Sequence, residues 1–230
     1  MARRVSAPLV VVAAVLLIGC TPLYMWDINT TSTARPPSFD VSELSREPVA
    51  TPGLVAPAAL QGLSMALSHA LVAALASASP PIRAIPAREI ANALNDQGLA
   101  TAYAELLEGF ARTGIVDRER LQRIGSALGF RYLLLPGLAQ LDQVVLDRFE
   151  IAGVKVIRTR VSILRVWLQL WDTRTGHILW ESAGELALAS EVVRHDRLVP
   201  IDEAAARLWR RMIQRDLLEG GTGSRSIFDL

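Results

Sequence analysis

Val161-Ser-Ile-Leu-Arg-Val-Trp-Leu-Gln-Leu-Trp171 runs into Asp172-Thr-Arg-Thr-Gly176, and Ile178-Leu-Trp180 then opens a second apolar run that reaches Ala189. Side chains alternate between the two faces of a strand. One face of the first run therefore carries Leu164, Val166, Leu168 and Leu170, and the other carries Arg165, Trp167, Gln169 and Trp171. Asp172 can accept the amides of a turn and Gly176 can take a left-handed conformation, so the two runs form a β-hairpin. Its first strand extends back to Val154 through a stretch rich in β-branched residues. The aliphatic face is expected to pack on helices. The opposite face has the aromatic and polar character enriched at protein-binding surfaces, and Trp180 is expected near it across the hairpin.

Working outward, Tyr132 to Leu135 is an unbroken apolar run of the kind found in a buried strand. Before it come three helical segments. Pro86 opens the first and Gly98 closes it; the second starts near Thr101 with Tyr103, Leu106, Leu107 and Phe110 on one face and ends at Gly114; the third is capped by Asp117 and stopped by Gly129. Earlier still, Leu60, Leu63, Leu67, Leu71 and Leu75 make one stripe of a helix that starts after Pro57 and ends at Pro80 and Pro81. Val49 to Val55 and Ile82 to Ile85 read as short strands. A last helix starts near Asp202 and carries Leu208, Trp209, Met212, Ile213 and Leu217. The order strand, helix, strand, three helices, three strands, helix predicts an α/β fold: a single mixed β-sheet covered by helices, with a C-terminal antiparallel hairpin and a final helix.

The amino terminus has a different purpose. Arg3 and Arg4 precede an apolar stretch from Leu9 to Ile18, and Leu17-Ile18-Gly19-Cys20 follows. A basic start, a short apolar run and small residues at a cut are the three parts of a secretory signal, and the stretch is shorter than the ~20 residues that span a bilayer. The last four residues resemble the lipobox of bacterial lipoproteins. That resemblance implies cleavage after residue 19 and acylation of Cys20, which is the only cysteine in the chain. An acyl chain contributes about 0.8 kcal/mol per buried methylene and two signals give stable anchoring, so the three chains this family carries hold such a protein permanently. Thr21 stands where an Asp would retain a lipoprotein in the inner membrane, which implies the outer membrane, facing the periplasm. Residues 20–47, rich in Thr, Ser and Pro, read as a tether with an end-to-end distance of roughly 30 Å. Tyr24, Met25 and Trp26 are expected at the lipid interface, the folded domain over residues 48–218, and a Gly-rich tail over residues 219–230.

The composition excludes several function classes. Loss of Arg3 and Arg4 turns the formal charge of +1 into −1, which lacks the basic footprint of a nucleic-acid binder. With its one thiol acylated, the mature chain has no disulfide and no cysteine for a metal. There is no phosphate-binding glycine loop, paired-histidine zinc helix or calcium loop. Gly125-Ser126-Ala127-Leu128-Gly129 places its serine one position too early for a nucleophile elbow and fits a helix end. His69, His177 and His195 are scattered. Asp142, Asp147 and Glu150 fall in what reads as a loop. No catalytic residue, cofactor or metal site is therefore assigned.

The lipobox, the leucine-striped helix, the run from Ile124 to Leu134 and the hairpin from Trp171 to Trp180 with its final helix together resemble the curli-secretion-channel and penicillin-binding-protein-activator lipoproteins, whose α/β domain is similar to the amino-terminal domain of TolB. The resemblance covers roughly residues 48–218. It implies a non-enzymatic envelope protein that works through protein contacts in assembly, transport or regulation. Its expected partners are membrane lipid, held through Cys20, and one or more envelope proteins, with Trp167, Trp171, Trp180, Phe149 and Ile151 as the contact surface. Homo-oligomerisation as a secretion-channel subunit is the first alternative, and an envelope enzyme or ligand-binding lipoprotein the second. A channel needs transmembrane strands of about 9 to 11 residues that alternate apolar outward. Leu141 to Val161 is the candidate segment, and its charges fall on both alternating faces, which disfavours a pore.

Overall fold

The computed structural model describes residues 24–151, 154–192 and 201–221. Six strands form one sheet: β1 (Tyr24–Ser32), β2 (Val49–Thr51), β3 (Ala84–Pro86), β4 (Tyr132–Ile151), β5 (Val154–Asp172) and β6 (His177–Val192). Their spatial order is β1-β6-β5-β4-β2-β3. β1, β6, β5 and β4 are mutually antiparallel, while β4, β2 and β3 run parallel. The α/β, mixed-sheet architecture expected from the sequence is the one observed.

The helices are α1 (Glu43–Arg46), α2 (Ser64–Ala76, entered through a 3-10 segment, Ala58–Leu63), α3 (Ala87–Asp96), α4 (Ala100–Thr113), α5 (Arg118–Leu128) and α6 (Ile201–Arg211, continued by a π-helical segment, Met212–Leu218). Asp117 caps α5 by accepting the Arg120 amide at 2.9 Å, and Gly114 and Gly129 take left-handed conformations past the ends of α4 and α5.

These helices sort into two layers. The sheet face carrying Tyr132, Leu134, Leu164, Val166, Leu168, Leu170, Leu186 and Leu188 packs on α2 and α6 in the larger core, where Trp209 lies fully buried and donates to the Leu67 carbonyl. Gly184 lets α6 approach β6, since a Cβ there would meet Leu208 at 2.8 Å. On the opposite face, Leu133, Leu135 and Trp171 pack on α3, α4 and α5 through Ile90, Leu106, Phe110, Leu121 and Ile124. That second layer covers only one end of the face. The rest, over β1, β6 and the far parts of β5 and β4, has no helix on it among the described residues.

Three expectations are corrected. The segment read as a tether over residues 20–47 joins the fold from Tyr24: β1 pairs with β6 from Tyr24 opposite Ser190 to Ser32 opposite Ser182, and Leu44 on α1 is buried in the larger core. Backbone pairing along β6 outweighs the Thr/Ser/Pro composition. The carboxylate-bearing stretch read as a loop lies within β4, paired to β5 as far as Ile151 opposite Val154. Trp26, expected at a lipid interface, instead packs at the margin of the larger core, with the Arg207 guanidinium 4.4 Å from its ring centroid.

Candidate functional site

The uncovered sheet face is the candidate surface, and the register determines which side chains reach it. β6 presents Glu181, Ala183, Glu185 and Ala187; β5 presents Ile163, Arg165, Trp167 and Gln169; β1 presents Met25, Asp27, Asn29 and Thr31. A register shift between Leu138 and Gln140 inserts one residue into β4. Such a shift exchanges the faces of everything beyond it, so Leu141 joins the core side while Gln140 and Asp142 join the open face.

The open face is laced by side-chain bonds. Arg165 donates to Glu185 on β6 and to Gln140 on β4, and Gln140 donates in turn to Asp142. Further along, Gln169 donates to Glu181 at 2.6 Å and accepts from the Trp171 indole at 3.2 Å. Thr33 beyond β1 closes this end, its hydroxyl accepting the Glu181 amide at 3.0 Å. Between these groups runs an open groove of about 400 Å³ lined by Thr31, Thr33, Trp167, Gln169, Glu181 and Ala183.

Trp167 forms one wall of this groove and is held from two sides. Its ring centroid lies 5.7 Å from that of Phe110 on α4. The indole also lies over Gly137 on β4, where any Cβ would sit within 1.8 Å of the ring. Glycine in mid-strand here gives the indole room to lie flat, a function its position in the sequence could have suggested.

Trp171 and Trp180 are not part of the surface. Trp171 is 6% exposed beneath α3–α5, and Trp180 is 0% exposed on the helix-covered face. A register shift between Leu170 and Trp171 sets Trp180 opposite Leu170 and so carries it to the inner side. Phe149 and Ile151 sit near the end of the β4–β5 ribbon, and their side chains lie outside the described residues, as do Cys20 and His195.

One cluster of half-buried charge is structural in its connections. Arg131 donates to Asp172 at 3.1 Å and to Glu43 on α1, which also accepts from the Tyr132 hydroxyl. Burial, with the Glu43 contact, pushes the Tyr132 phenol well above its usual range. Asp172 accepts the Arg174 amide at 2.8 Å and so builds the turn expected between β5 and β6. His69 lies on α2 and His177 at the start of β6. Among the described residues no three His, Cys, Asp or Glu side chains are grouped to hold a metal.

No family model and no curated protein matches the sequence. Among solved structures, the chain is similar to the PelC dodecamer from Paraburkholderia phytofirmans, with 13% identity over 81% of this chain and 94% of that one, at a TM-score of 0.39. It is also similar to lipoprotein GNA1162 from Neisseria meningitidis, with 14% identity over 61% of this chain and 82% of that one, at a TM-score of 0.33. A PDZ domain protein from Parabacteroides distasonis matches at 9% identity and a TM-score of 0.37, covering 92% of this chain and 40% of that one. Scores this low assign the chain to no family, and the functional reading rests on its own residues.

Proposed function

We propose that this chain is a lipid-anchored envelope protein, cut after Gly19 and acylated on Cys20, whose α/β domain faces the periplasm from the outer membrane and acts non-enzymatically, through protein contacts, in assembly, transport or regulation. The observation that carries the reading is Leu17-Ile18-Gly19-Cys20 behind Arg3, Arg4 and an apolar run. The fold sharpens it. β1 begins at Tyr24, and the four residue steps from Cys20 span at most about 14 Å at ~3.3 to 3.6 Å each. The domain therefore works at the surface of its membrane and does not reach across the envelope. Its contact surface is the open face around Trp167, where a half-buried indole is flanked by polar groups already bonded to one another. Aromatic anchors of this kind carry much of the binding energy at interfaces.

The test is the mass of the amino-terminal peptide of the mature protein, together with membrane fractionation of Cys20→Ala. The expected result is a peptide that begins at an acylated Cys20, and loss of membrane association in the variant. An unmodified cysteine, or a variant that fractionates with membranes as the parent does, overturns the anchor.

A further inference from the structure

Between Glu47 and Arg83 the chain contains no Asp, Glu, Lys or Arg. This uncharged run holds α2 and its leading 3-10 segment. Ala58–Ala76 is, among the described residues, the one helix long and apolar enough to cross a membrane, yet it forms part of the helical layer on the sheet. Its inner side is accounted for by Leu67, Ala70, Leu71, Ala74 and Leu75 in the core. Its outer side carries Met65, 71% exposed, with His69, Ala73 and Ala76 also exposed and Val72 half-buried. A helix apolar all round is normally buried all round, and an apolar patch left exposed marks an interaction site.

The surroundings of this patch are charged, and asymmetrically so. On one side a groove of about 610 Å³ is lined by Ala66, Ala70 and Ala73 and, from α6, by Asp202, Glu203 and Ala206. On the other side a groove of about 660 Å³ is lined by Met65, Ser68 and Val72 and, at the start of α3, by Ala87 and Arg88. His69 lines both grooves and so sits at the crest between them.

We propose that this face seats a second copy of the chain, with the two α2 helices packed parallel about a two-fold axis that runs along them. The charges select that arrangement. A two-fold rotation about an axis parallel to the helices brings the Asp202–Glu203 side of one copy onto the Arg88 side of the other, and the reverse, as an isologous interface requires. Rotation about an axis across the helices would set acid against acid. The 19-residue span is about 28 Å long at ~1.5 Å per residue, and the flanking grooves extend the face on both sides of the helix. A bilayer is the other apolar partner for such a face, and Asp202 and Glu203, which outnumber Arg88 on its rim, oppose an anionic lipid surface. The proposal does not depend on acylation of Cys20.

The test uses the full mature chain in mild detergent, with its mass followed by sedimentation from about 1 to 100 µM. The expected result is a monomer–dimer equilibrium in the parent that Arg88→Glu weakens at least about tenfold, or 1.4 kcal/mol. Combining Arg88→Glu with Asp202→Arg and Glu203→Arg should restore it. All three residues are exposed, and a thermal melt of each variant checks that folding is unchanged. Single cysteines at Met65, Ala73 and Ala76 should each cross-link to their own counterparts, as parallel helices require, and one at Ile115 should not. A monomer at every concentration overturns the proposal. So does a dimer that Met65→Glu leaves intact, cross-linking confined to the middle of α2, or a parent that floats with anionic phosphatidylglycerol vesicles through Met65 without dimerising, which would assign the face to lipid.

Discussion

Asp216, on the π-helical segment after α6, is 2% exposed, and one of its carboxylate oxygens has no hydrogen-bond partner. Burial pushes its carboxyl above the usual carboxylate range, more than Thr30, Arg211, Ser182 and Arg215 together pull it down. The native state therefore holds this proton more tightly than the unfolded chain. Stability is lost as pH rises from the ordinary carboxylate range through the raised native value. Asp216→Asn never ionises and escapes that loss. The variant should be more stable than the parent at neutral pH, with the advantage fading below about pH 4, where both forms are neutral. Urea midpoints at the two pH values check it, and a variant less stable at neutral pH would show that the pairing with Arg211 outweighs burial. The tryptophans mark what was and was not legible at this scale. The alternation of β5 placed Trp167 on the polar face directly from the sequence. Trp180 lies on the inner face instead because β6 carries one extra residue, Leu179, between Ile178 and Trp180 opposite the step from Leu170 to Trp171, and nothing in the composition of the hairpin signals that shift.

Among the elements, α5 rests on a local signal. The Asp117 side chain accepts the Arg120 amide at 2.9 Å and its second oxygen lies 3.3 Å from the Arg120 guanidinium. The cap is exposed, so Asp117→Ala should cost about 1 kcal/mol, the ordinary value for a lost N-cap, and the ion pair adds little. The denaturation midpoint of the variant gives the measurement, and no change would mean that packing of Leu121 and Ile124 alone holds the helix. Caps, glycine stops and leucine stripes are encoded over a few neighbouring residues, which is why α2 to α6 could be read in sequence. β1 could not. Its inward positions are Trp26, Ile28, Thr30 and Ser32, only two of them strongly apolar, because an edge strand needs one good neighbour and little else. The sequence marks only the start of β4, Tyr132 to Leu135, for a related reason. Past the bulge near Ala139, polar Gln140, Asp142 and Gln143 are interleaved with Leu141 and with the exposed Val144 and Val145, so no face is cleanly apolar, and the strand is defined by pairing with β5, a long-range partner that no local pattern announces.

For the molecule as a whole, the consequence of β1 is that the domain closes on itself through its amino-terminal segment. Arg35, just past β1, donates to the carbonyls of Leu217 at 2.8 Å and Leu218 at 3.2 Å, and Ser32 donates to the Gly221 carbonyl at 2.8 Å, so this segment caps the end of the last helix. Phe39 packs against Tyr132 with ring centroids 5.9 Å apart, Glu43 holds Arg131 and Tyr132, and Leu44 is 1% exposed. Burying an apolar side chain contributes about 1.5 to 3 kcal/mol. Leu44 is fully buried and Trp26, Ile28 and Phe39 are partly buried, so together they supply several kcal/mol, a large share of the ~5 to 15 kcal/mol that stabilises an entire domain. Removal of the segment would also bare the edge of β6, a template for pairing with other chains. A chain beginning at Pro48, the boundary that composition alone suggests, should accordingly be unfolded or aggregated at 25 °C, whereas one beginning at Tyr24 should melt cooperatively. Circular dichroism melts of the two decide it: matching transitions would mean that β1 is an accessory of the sheet, and a transition only in the longer chain would place the start of the domain within four residues of Cys20.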